Sequence, residues 1–530
     1  MIAHVRDRVP AGTKPWLGLA LAIVLAGAAS IALRQDSNWD LQNYHLYNAW
    51  AFVHDRFGLD WAPAQLQSFY SPFLDLPFYA LLAADVPPRV IAFALAIPTG
   101  IAWYFFARIV VRMFADLPGA YRDRAVVAAV AIGVTAPMSV SLIGLTMNDW
   151  YTAAFVMPAL WLLVRATDAA SPSRATLLAA GALVGAGAGL KLTGMIYGAG
   201  LLGGLLAAGG AWRGRVRAAL LAGCAMAAAF AATAGPWMWV MYQRYGNPLF
   251  PYFNDVFRSP WSDPVTFSAT RFGPASPAEW LVFPIMLLWK LEGYVSEPEF
   301  RDARPALLYA LALVMLVVAL RRRMVSPSPT TTGARSDWGP WRFLGGFFLA
   351  SLLAWAVLHR IFRYLVPLEL LGGLLIVYFV VRMAPARRVP LALAAALVLV
   401  LVTAKYPTWW RQKFEDRFLT VVMPAVKPDA LVLLVSAEPM SYVLPSFPPD
   451  ARFAGLVSNF NDPDRRNRLQ QTIAAQIRDH RGSLYALAVP PDRQVGREAL
   501  AKMGLARVSC AAIRTNLRVS PLELCELRRT

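Results

Sequence analysis

The sequence predicts a polytopic α-helical membrane protein of about eleven transmembrane helices, N-terminus cytoplasmic, with a small C-terminal extracytoplasmic α/β domain. Three observations predict it. Apolar runs recur from residue 16 to residue 404, most near the ~20 residues that cross a bilayer. Hydrophobic residues make up 57% of the 530, only 16% are charged, and mean hydropathy is +0.46; a soluble domain carries roughly 25% charged residues. Finally, the basic residues gather in every second junction between runs, as the positive-inside rule requires.

His4, Arg6, Arg8 and Lys14 precede the run Trp16–Leu33. Its Ala26-Gly27-Ala28-Ala29 resembles a signal-peptide cleavage site. The run is long enough to span and many spans follow, so the expectation is an uncleaved first helix. The spans are read at 16–33, 87–111, 125–145, 150–165, 175–190, 194–210, 217–240, 305–320, 343–358, 364–381 and 389–404. Arg108, Arg112, Arg122 and Arg124 follow the second, Arg165 and Arg174 the fourth, and Arg213, Arg215 and Arg217 the sixth. Arg321, Arg322 and Arg323 follow the eighth, and Arg382, Arg387 and Arg388 the tenth. All are even-numbered exits, assigned to the cytoplasm. Residues 1–404 then form a transmembrane domain with large external loops at 34–86 and 241–304. Leu281–Trp289 within the second is too short to span and reads as a re-entrant or interface-lying helix. Ser326–Asp337, rich in Pro, Ser and Thr, reads as a flexible linker.

Residues 405–530 form the external tail. Ala430–Ser436 and Ser483–Val489 read as buried strands, Asp464–His480 and Gln494–Met503 as helices, an alternation that gives an α/β unit. It carries no glycine-rich phosphate loop and no hydrolase elbow. Cys224 reads as a small core residue. Cys510 and Cys525 can pair if the tail lies outside the cytoplasm, and the sequence leaves that open. The formal charge of +19 would point to nucleic acid in a soluble protein. Here much of it lies in short junctions that set topology and meet anionic lipid, so membrane lipid is the expected partner and nucleic acid is not.

Polar residues that carry chemistry sit at the external ends of the spans. Asp36, Ser37, Asn38, Trp39, Asp40, Leu41, Gln42, Asn43, Tyr44 and His45 follow the first span. Ser37-Asn38-Trp39-Asp40 has the S-x-x-D form of a helix start. Leu46, Trp50, Val53 and Phe57 then share one face, that of a helix lying on the outer surface. Asp40, Asn43, Tyr44 and Tyr47 share the next at i, i+3, i+4, i+7. Asn148-Asp149 fills the turn between spans three and four, Lys191 the turn between five and six, and His359-Arg360-Ile361-Phe362-Arg363-Tyr364 the turn between nine and ten. Arginines there oppose the positive-inside trend, and an arginine fork suits phosphate. Plainer readings stand beside these: Asp40 and Asp149 as helix caps, Lys191 snorkelling, the arginines paired with first-loop acids. That loop holds Asp36, Asp40, Asp55, Asp60 and Asp75 against Arg34 and Arg56.

Trp39-Asp40-Leu41-Gln42-Asn43-Tyr44-His45-Leu46, the Gly-Leu-Lys-Leu-Thr turn around Lys191, Gly235-Pro236-Trp237 leading to Tyr245-Gly246-Asn247-Pro248-Leu249-Phe250-Pro251, and Arg363-Tyr364-Leu365-Val366-Pro367 occur in order along residues 15–405. This pattern resembles the GT-C superfamily of polyprenyl-phosphate-dependent glycosyltransferases. The resemblance implies a polyprenyl-phosphate sugar donor, a lipid or glycan acceptor, and a catalytic base in the first external loop. Asp40 matches that position, with Asp36 as the fallback. Many relatives place two acids side by side there, whereas Trp39 and Leu41 flank Asp40. Some members need a divalent metal and others do not; no cofactor is assigned, and Asp40 and Asp149 are the pair that would share a metal. The implied chemistry is a single inverting displacement. Asp40 takes the acceptor proton, Lys191, Arg360 and Arg363 stabilise the departing phosphate, and Tyr44, His45 and Tyr364 shape the pocket. Two other classes fit the same residues: a polymerase or ligase of lipid-linked glycans, which would use the arginines without an essential carboxylate, and a transporter, whose polar groups would be expected nearer the bilayer midplane.

Overall fold

The computed structural model describes residues 14–168, 172–267, 272–289, 292–325 and 339–530. A helix follows each of the eleven apolar runs: Pro15–Ala32, Pro88–Leu95 continuing into Ile97–Met113, Gly119–Val134, Asp149–Val164, Arg174–Leu190, Met195–Ala207, Trp212–Tyr245, Arg304–Val325, Pro340–Leu358, Val366–Met383 and Val389–Thr403. By length and composition, seven of these segments can cross a membrane; Asp149–Val164, Arg174–Leu190 and Leu192–Ala207 are shorter apolar helices. Pro98, near the start of Ile97–Met113, marks the break in the second passage. The third run departs from the expected 125–145. Its helix stops at Val134, and Pro137 opens a short helix, Pro137–Ser141. Residues 142–149 then form a buried turn that leads into the helix starting at Asp149. Its first residues, Leu142, Ile143, Gly144 and Leu145, are apolar and so read as the end of the third span, while Asn148-Asp149 falls in the turn expected between spans three and four.

Close helix packing depends on small residues. A Cβ placed on Gly181 or Gly185 would stand 2.1 Å from the carbonyl oxygen of Ala222 or Met226, so the helices Arg174–Leu190 and Trp212–Tyr245 meet backbone to backbone. A carboxyl side chain helps tie the bundle internally. Glu369 on Val366–Met383 accepts from the Ser139 N–H at 2.8 Å and from the Ser139 hydroxyl. This fixes the helix that follows Arg363 to the segment that precedes Asp149.

The tail holds a six-stranded sheet of β1 (Val421–Val422), β2 (Leu431–Val435), β3 (Arg452–Val457), β4 (Leu484–Ala488), β5 (Leu505–Thr515) and β6 (Arg518–Arg529), in the order β1-β5-β6-β4-β2-β3. β2 runs parallel to β3 and β4; β6 is antiparallel to β4 and β5. The two strands and two helices expected from the sequence are present, the helices as Arg468–Asp479 and Arg493–Lys502. β3 and the β5–β6 hairpin were not read, because their charged and small residues blur the period-two pattern. Cys510 and Cys525 face each other across that hairpin and are disulfide-bonded. Pro277–Met286 forms a ten-residue helix that overlaps the expected short segment Leu281–Trp289 of the second loop. The expected linker Ser326–Asp337 lies outside the described residues.

The first loop does not lie as a surface helix. Its helix Leu46–Val53 ends before Phe57. Leu41, Leu46, Tyr47 and Ala51 enter one hydrophobic cluster with Val432, Tyr442, Leu444 and Phe453 of the tail. A second cluster joins Ala62, Leu66 and Phe69 to Leu431, Leu433 and Leu456. Trp61 pairs with Ala454 as an extra bridge beside β3. Gln65, at φ +58°, donates to the Ala437 carbonyl at 2.9 Å and accepts from the Asn459 N–H at 3.1 Å. The tail therefore supplies the core against which the loop carrying Asp40 is ordered.

Candidate active site

The site begins with the local geometry after the first helix. Asp36 is buried; its Oδ2 accepts from the Thr146 N–H and hydroxyl, both at 2.8 Å, and its Oδ1 accepts from the Asn38 side chain at 2.6 Å. Asn38 Oδ1 in turn accepts from the Leu41 N–H at 2.9 Å, so Asn38, not Ser37, caps the turn. Asp36 has its oxygens committed to pinning the first loop to the 142–149 turn.

Residues Leu41–His45 form a π-turn before the α-helix Leu46–Val53. A π-turn closes on i→i+5 rather than i→i+4, which redistributes side chains that α-helical spacing would group. Asp40 and Tyr44 stay together. Asn43 leaves to accept a different partner set, donating to Gln67 Oε1 at 3.1 Å, and Tyr47 donates to Asp60 Oδ2 at 2.8 Å. His45 comes round toward Asp40, close enough to act on its carboxyl.

Four chain segments converge on Asp40. Arg363 Nη1 lies 2.7 Å from Asp40 Oδ2 and 4.0 Å from Asp149 Oδ2. Lys191 Nζ lies 2.5 Å from Asp149 Oδ1 and donates to the Met147 carbonyl at 2.5 Å. The structure thus alternates carboxylate, guanidinium, carboxylate and ammonium. Removing one partner of such a buried pair costs roughly 3–5 kcal/mol, because the other charge is left uncompensated. Tyr364 sits beside both cations, its ring 5.5 Å from Lys191 Nζ, and its carbonyl accepts from the Tyr197 hydroxyl at 2.5 Å.

Burial raises the Asp40 carboxyl, but the Arg363 guanidinium, His45 and Lys191 outweigh it and hold the group below the ordinary carboxylate value. Asp40 is therefore ionised. Burial pulls the Lys191 ammonium below the usual lysine value despite Asp149 beside it. Burial, aided by Asp40, raises the Tyr44 phenol well above its normal range, so it keeps its proton. Burial and then Lys191 push the His359 imidazole down to about 4, which leaves it neutral at pH 7.

Arg360 stands apart from this group. It occupies the left-handed position at the end of Pro340–Leu358, with φ +57°, and its backbone N–H returns to the Trp355 carbonyl. Its side chain donates to the Ala356 carbonyl at 3.0 Å and lies 5.7 Å from the Trp280 ring. The expected two-arginine fork is replaced by Arg363 together with Lys191. The left-handed turn at Arg360, just past the end of Pro340–Leu358, sends its side chain away from that of Arg363, and sequence adjacency gives no sign of it.

Two residues of the site were not singled out by sequence reasoning. Asp75 Oδ1 lies 2.8 Å from His45 Nδ1 and accepts from Asn148 Nδ2 at 2.8 Å. Glu297, from the second loop, is close enough for its charge to act on Arg363 and Tyr364. Asp75 had been counted only among the first-loop acids, and nothing marked Glu297. Tyr252, just past the Asn247-Pro248 turn, meets the Tyr70 hydroxyl, and Tyr70 packs edge-on against Tyr44 at 5.3 Å. The second-loop motif thereby reaches the rim of the site.

A divalent metal shared by Asp40 and Asp149 does not fit this arrangement. The Arg363 guanidinium already stands between the two carboxylates, and Lys191 takes the second oxygen of Asp149. Among the described residues no group of three or more His, Cys, Asp or Glu gathers to hold a metal.

No protein-family profile matches the chain, and no curated protein matches it. Solved structures do. ArnT from Cupriavidus metallidurans, crystallised bound to undecaprenyl phosphate, aligns with TM-score 0.53 at 14% identity over 96% of this chain and 97% of its own. The apo crystal of the same protein aligns with TM-score 0.52, at the same identity and coverage. The Archaeoglobus fulgidus oligosaccharyltransferase, tethered to an acceptor peptide, aligns with TM-score 0.47 at 13% identity over 90% of this chain and 69% of its own. The near-complete mutual coverage with ArnT extends from the first helix into the tail. The chain is a polytopic helical membrane protein whose fold is that of ArnT over nearly its whole length.

Proposed function

We propose that the chain transfers a sugar from a polyprenyl-phosphate-linked donor to a lipid or glycan acceptor on the extracytoplasmic side of the membrane, with Asp40 as general base and inversion at the anomeric carbon. One observation carries this reading: the ionised Asp40 held by Arg363, beside the Asp149–Lys191 pair. The likeness in fold to a protein crystallised with undecaprenyl phosphate supports the donor class.

A phosphodiester-linked sugar carries one negative charge, and the polyprenyl phosphate that leaves carries up to two. Arg363 and Lys191 are the cations positioned for that growing charge. Asp40 accepts a hydrogen bond from the acceptor hydroxyl and takes its proton as the oxygen attacks the anomeric carbon. The carbon–phosphate-oxygen bond breaks, and its electron pair leaves with the phosphate. Tyr44, protonated and beside Asp40, donates a hydrogen bond to the sugar or to the phosphate. Asp149 orients Lys191, and Asp36 fixes the loop. Arg360 has no part in this scheme. The disulfide within the tail supports an extracytoplasmic tail, because such bonds persist in oxidising compartments.

The test uses full-length protein in nanodiscs, a panel of undecaprenyl-phosphate-linked radiolabelled sugars, and a membrane lipid and glycan extract as acceptor. Label should move to an acceptor with the native chain and not with Asp40→Asn. Undiminished transfer by Asp40→Asn with loss in Arg363→Lys would favour the polymerase or ligase reading. No transfer from any donor, with movement of the intact lipid-linked sugar across the bilayer, would favour a transporter.

A further inference from the structure

His45 closes the π-turn that opens beside Asp40. Its Nδ1 lies 2.8 Å from Asp75 Oδ1. That oxygen is an acceptor, so the bond fixes the proton on Nδ1 and leaves Nε2 of the neutral ring with an unused lone pair. Asn148 donates to the same Asp75 oxygen at 2.8 Å, which locks the carboxylate between the first loop and the 142–149 turn. His45 and Asp75 are 2% and 3% exposed. Nε2 is fully buried and has no hydrogen-bond partner among the described residues. A buried polar atom left unsatisfied costs about 1–3 kcal/mol, and here it is held in place by two further residues. The ring packs against Tyr44 at 4.1 Å between centroids, tilted by 38°, and lies close enough to Asp40 to act on its carboxyl.

We propose that His45, oriented by Asp75, is the terminal proton acceptor of the transfer reaction. This deepens the sugar-transfer reading and rests on it. The acceptor O–H bond breaks, and its proton moves to the Asp40 carboxylate and then to His45 Nε2, directly or through one water. The product is an imidazolium beside the Asp75 carboxylate; Asp40 regains its charge and its pair with Arg363. The physical reason is proton affinity. A carboxylate clasped by a guanidinium is a weak base and a poor place to leave a proton. An imidazole has a basicity matched to neutral pH, and a neighbouring carboxylate stabilises its charged form, the same division of labour that a carboxylate–histidine pair performs in nucleophilic catalysis. The titratable and charged groups around His45 are Asp40 and Tyr44 on its own segment, Asp75 before Leu76–Ala83, Tyr151 near Asp75 on Asp149–Val164, and Arg363 and Lys191 on the far side of Asp40.

The test is the pH dependence of transfer by the full-length chain, read as label moved from the undecaprenyl-phosphate sugar panel. The native protein should lose activity on an acid limb, where the acceptor nitrogen already carries a proton and cannot take another. His45→Gln should be slower by about 10²–10⁴-fold, and that acid limb should be absent from its residual activity. Asp75→Asn is isosteric and should move the limb to lower pH, since the imidazolium loses its carboxylate partner; a purely structural role would not shift it. An unchanged rate and limb in His45→Gln, or an unmoved limb in Asp75→Asn, overturns the proposal. The Asp40 reading fails separately. If Asp40→Asn transfers at the native rate while His45→Gln does not, His45 takes the proton directly and Asp40 is not the base. If Asp40→Asn is inactive and His45→Gln is native-like, Asp40 works alone.

Discussion

Arg363 Nη1 lies 2.7 Å from Asp40 Oδ2 across a separation of 323 residues, and the same nitrogen is 4.0 Å from Asp149 Oδ2. One guanidinium therefore faces both Asp40 and Asp149. Arg363→Ala would leave Asp40 buried without its counter-ion, a loss of roughly 3–5 kcal/mol. The double variant Asp40→Asn, Arg363→Ala removes the stranded charge and should recover part of that stability while remaining inactive. Thermal unfolding in detergent separates the two effects. Equal destabilisation in the single and double variants would mean that the pair is not electrostatically coupled.

Arg360 provides the contrast. It holds φ +57°, a conformation that costs a non-glycine residue roughly 1–2 kcal/mol, and its side chain rests on Trp280 and the Ala356 carbonyl, away from Asp40. Arg360→Gly is expected to leave transfer within about twofold of native, the usual span of a substitution outside a site, and to leave the unfolding temperature unchanged or higher. A tenfold rise in the donor KM would return Arg360 to the phosphate-binding role expected from its neighbour.

The helices were legible because an apolar run near bilayer length has few other folded fates. Asp40, Asp149, Lys191 and Arg363 were legible for the same reason turned round: charges at the ends of apolar spans stand out against their neighbours. What the sequence concealed is pairing between distant segments. Asp75 reads as one of several loop acids until His45 and Asn148 are seen upon it, and the packing of residues 61–66 on β3 joins positions almost 400 apart. The π-turn at Leu41–His45 was hidden for another reason. α-helical spacing is the default period, and it placed Asn43 and Tyr47 on the face of Asp40, where the wider turn instead brings His45.

The proposed sidedness can be checked on the tail itself. Val519 on β6 is 89% exposed, and Cys510 and Cys525 are bonded to each other. With Cys224→Ala removing the free thiol, Val519→Cys should react with a membrane-impermeant maleimide in intact spheroplasts. Labelling that appears only after lysis would place the tail, and the site above which it sits, in the cytoplasm.

The clamp between the first loop and the tail has its own pH signature. Arg56 Nε and Nη2 lie 2.9 and 2.7 Å from the two Asp60 oxygens, and Nη1 donates to the Pro449 carbonyl at 3.0 Å. Tyr47 and the Phe453 N–H also donate to Asp60, at 2.8 and 3.0 Å. Burial nevertheless raises the Asp60 carboxyl above its ordinary value, with Arg56 opposing that rise. Arg56→Ala should raise it further. A carboxyl whose folded value lies above its unfolded value gives stability that is complete below the unfolded value and is lost as pH climbs through the folded one. The variant should therefore be destabilised by roughly 3–5 kcal/mol at pH 8 and by clearly less at pH 5, where Asp60 can take up a proton. Unfolding temperatures of the native chain and of Arg56→Ala at the two pH values decide it: a gap that is the same at both would mean that Asp60 stays ionised without its arginine. Transfer should fall with the clamp, although Arg56 touches none of the site residues, because the segment that orders Asp40 is held to the tail through it.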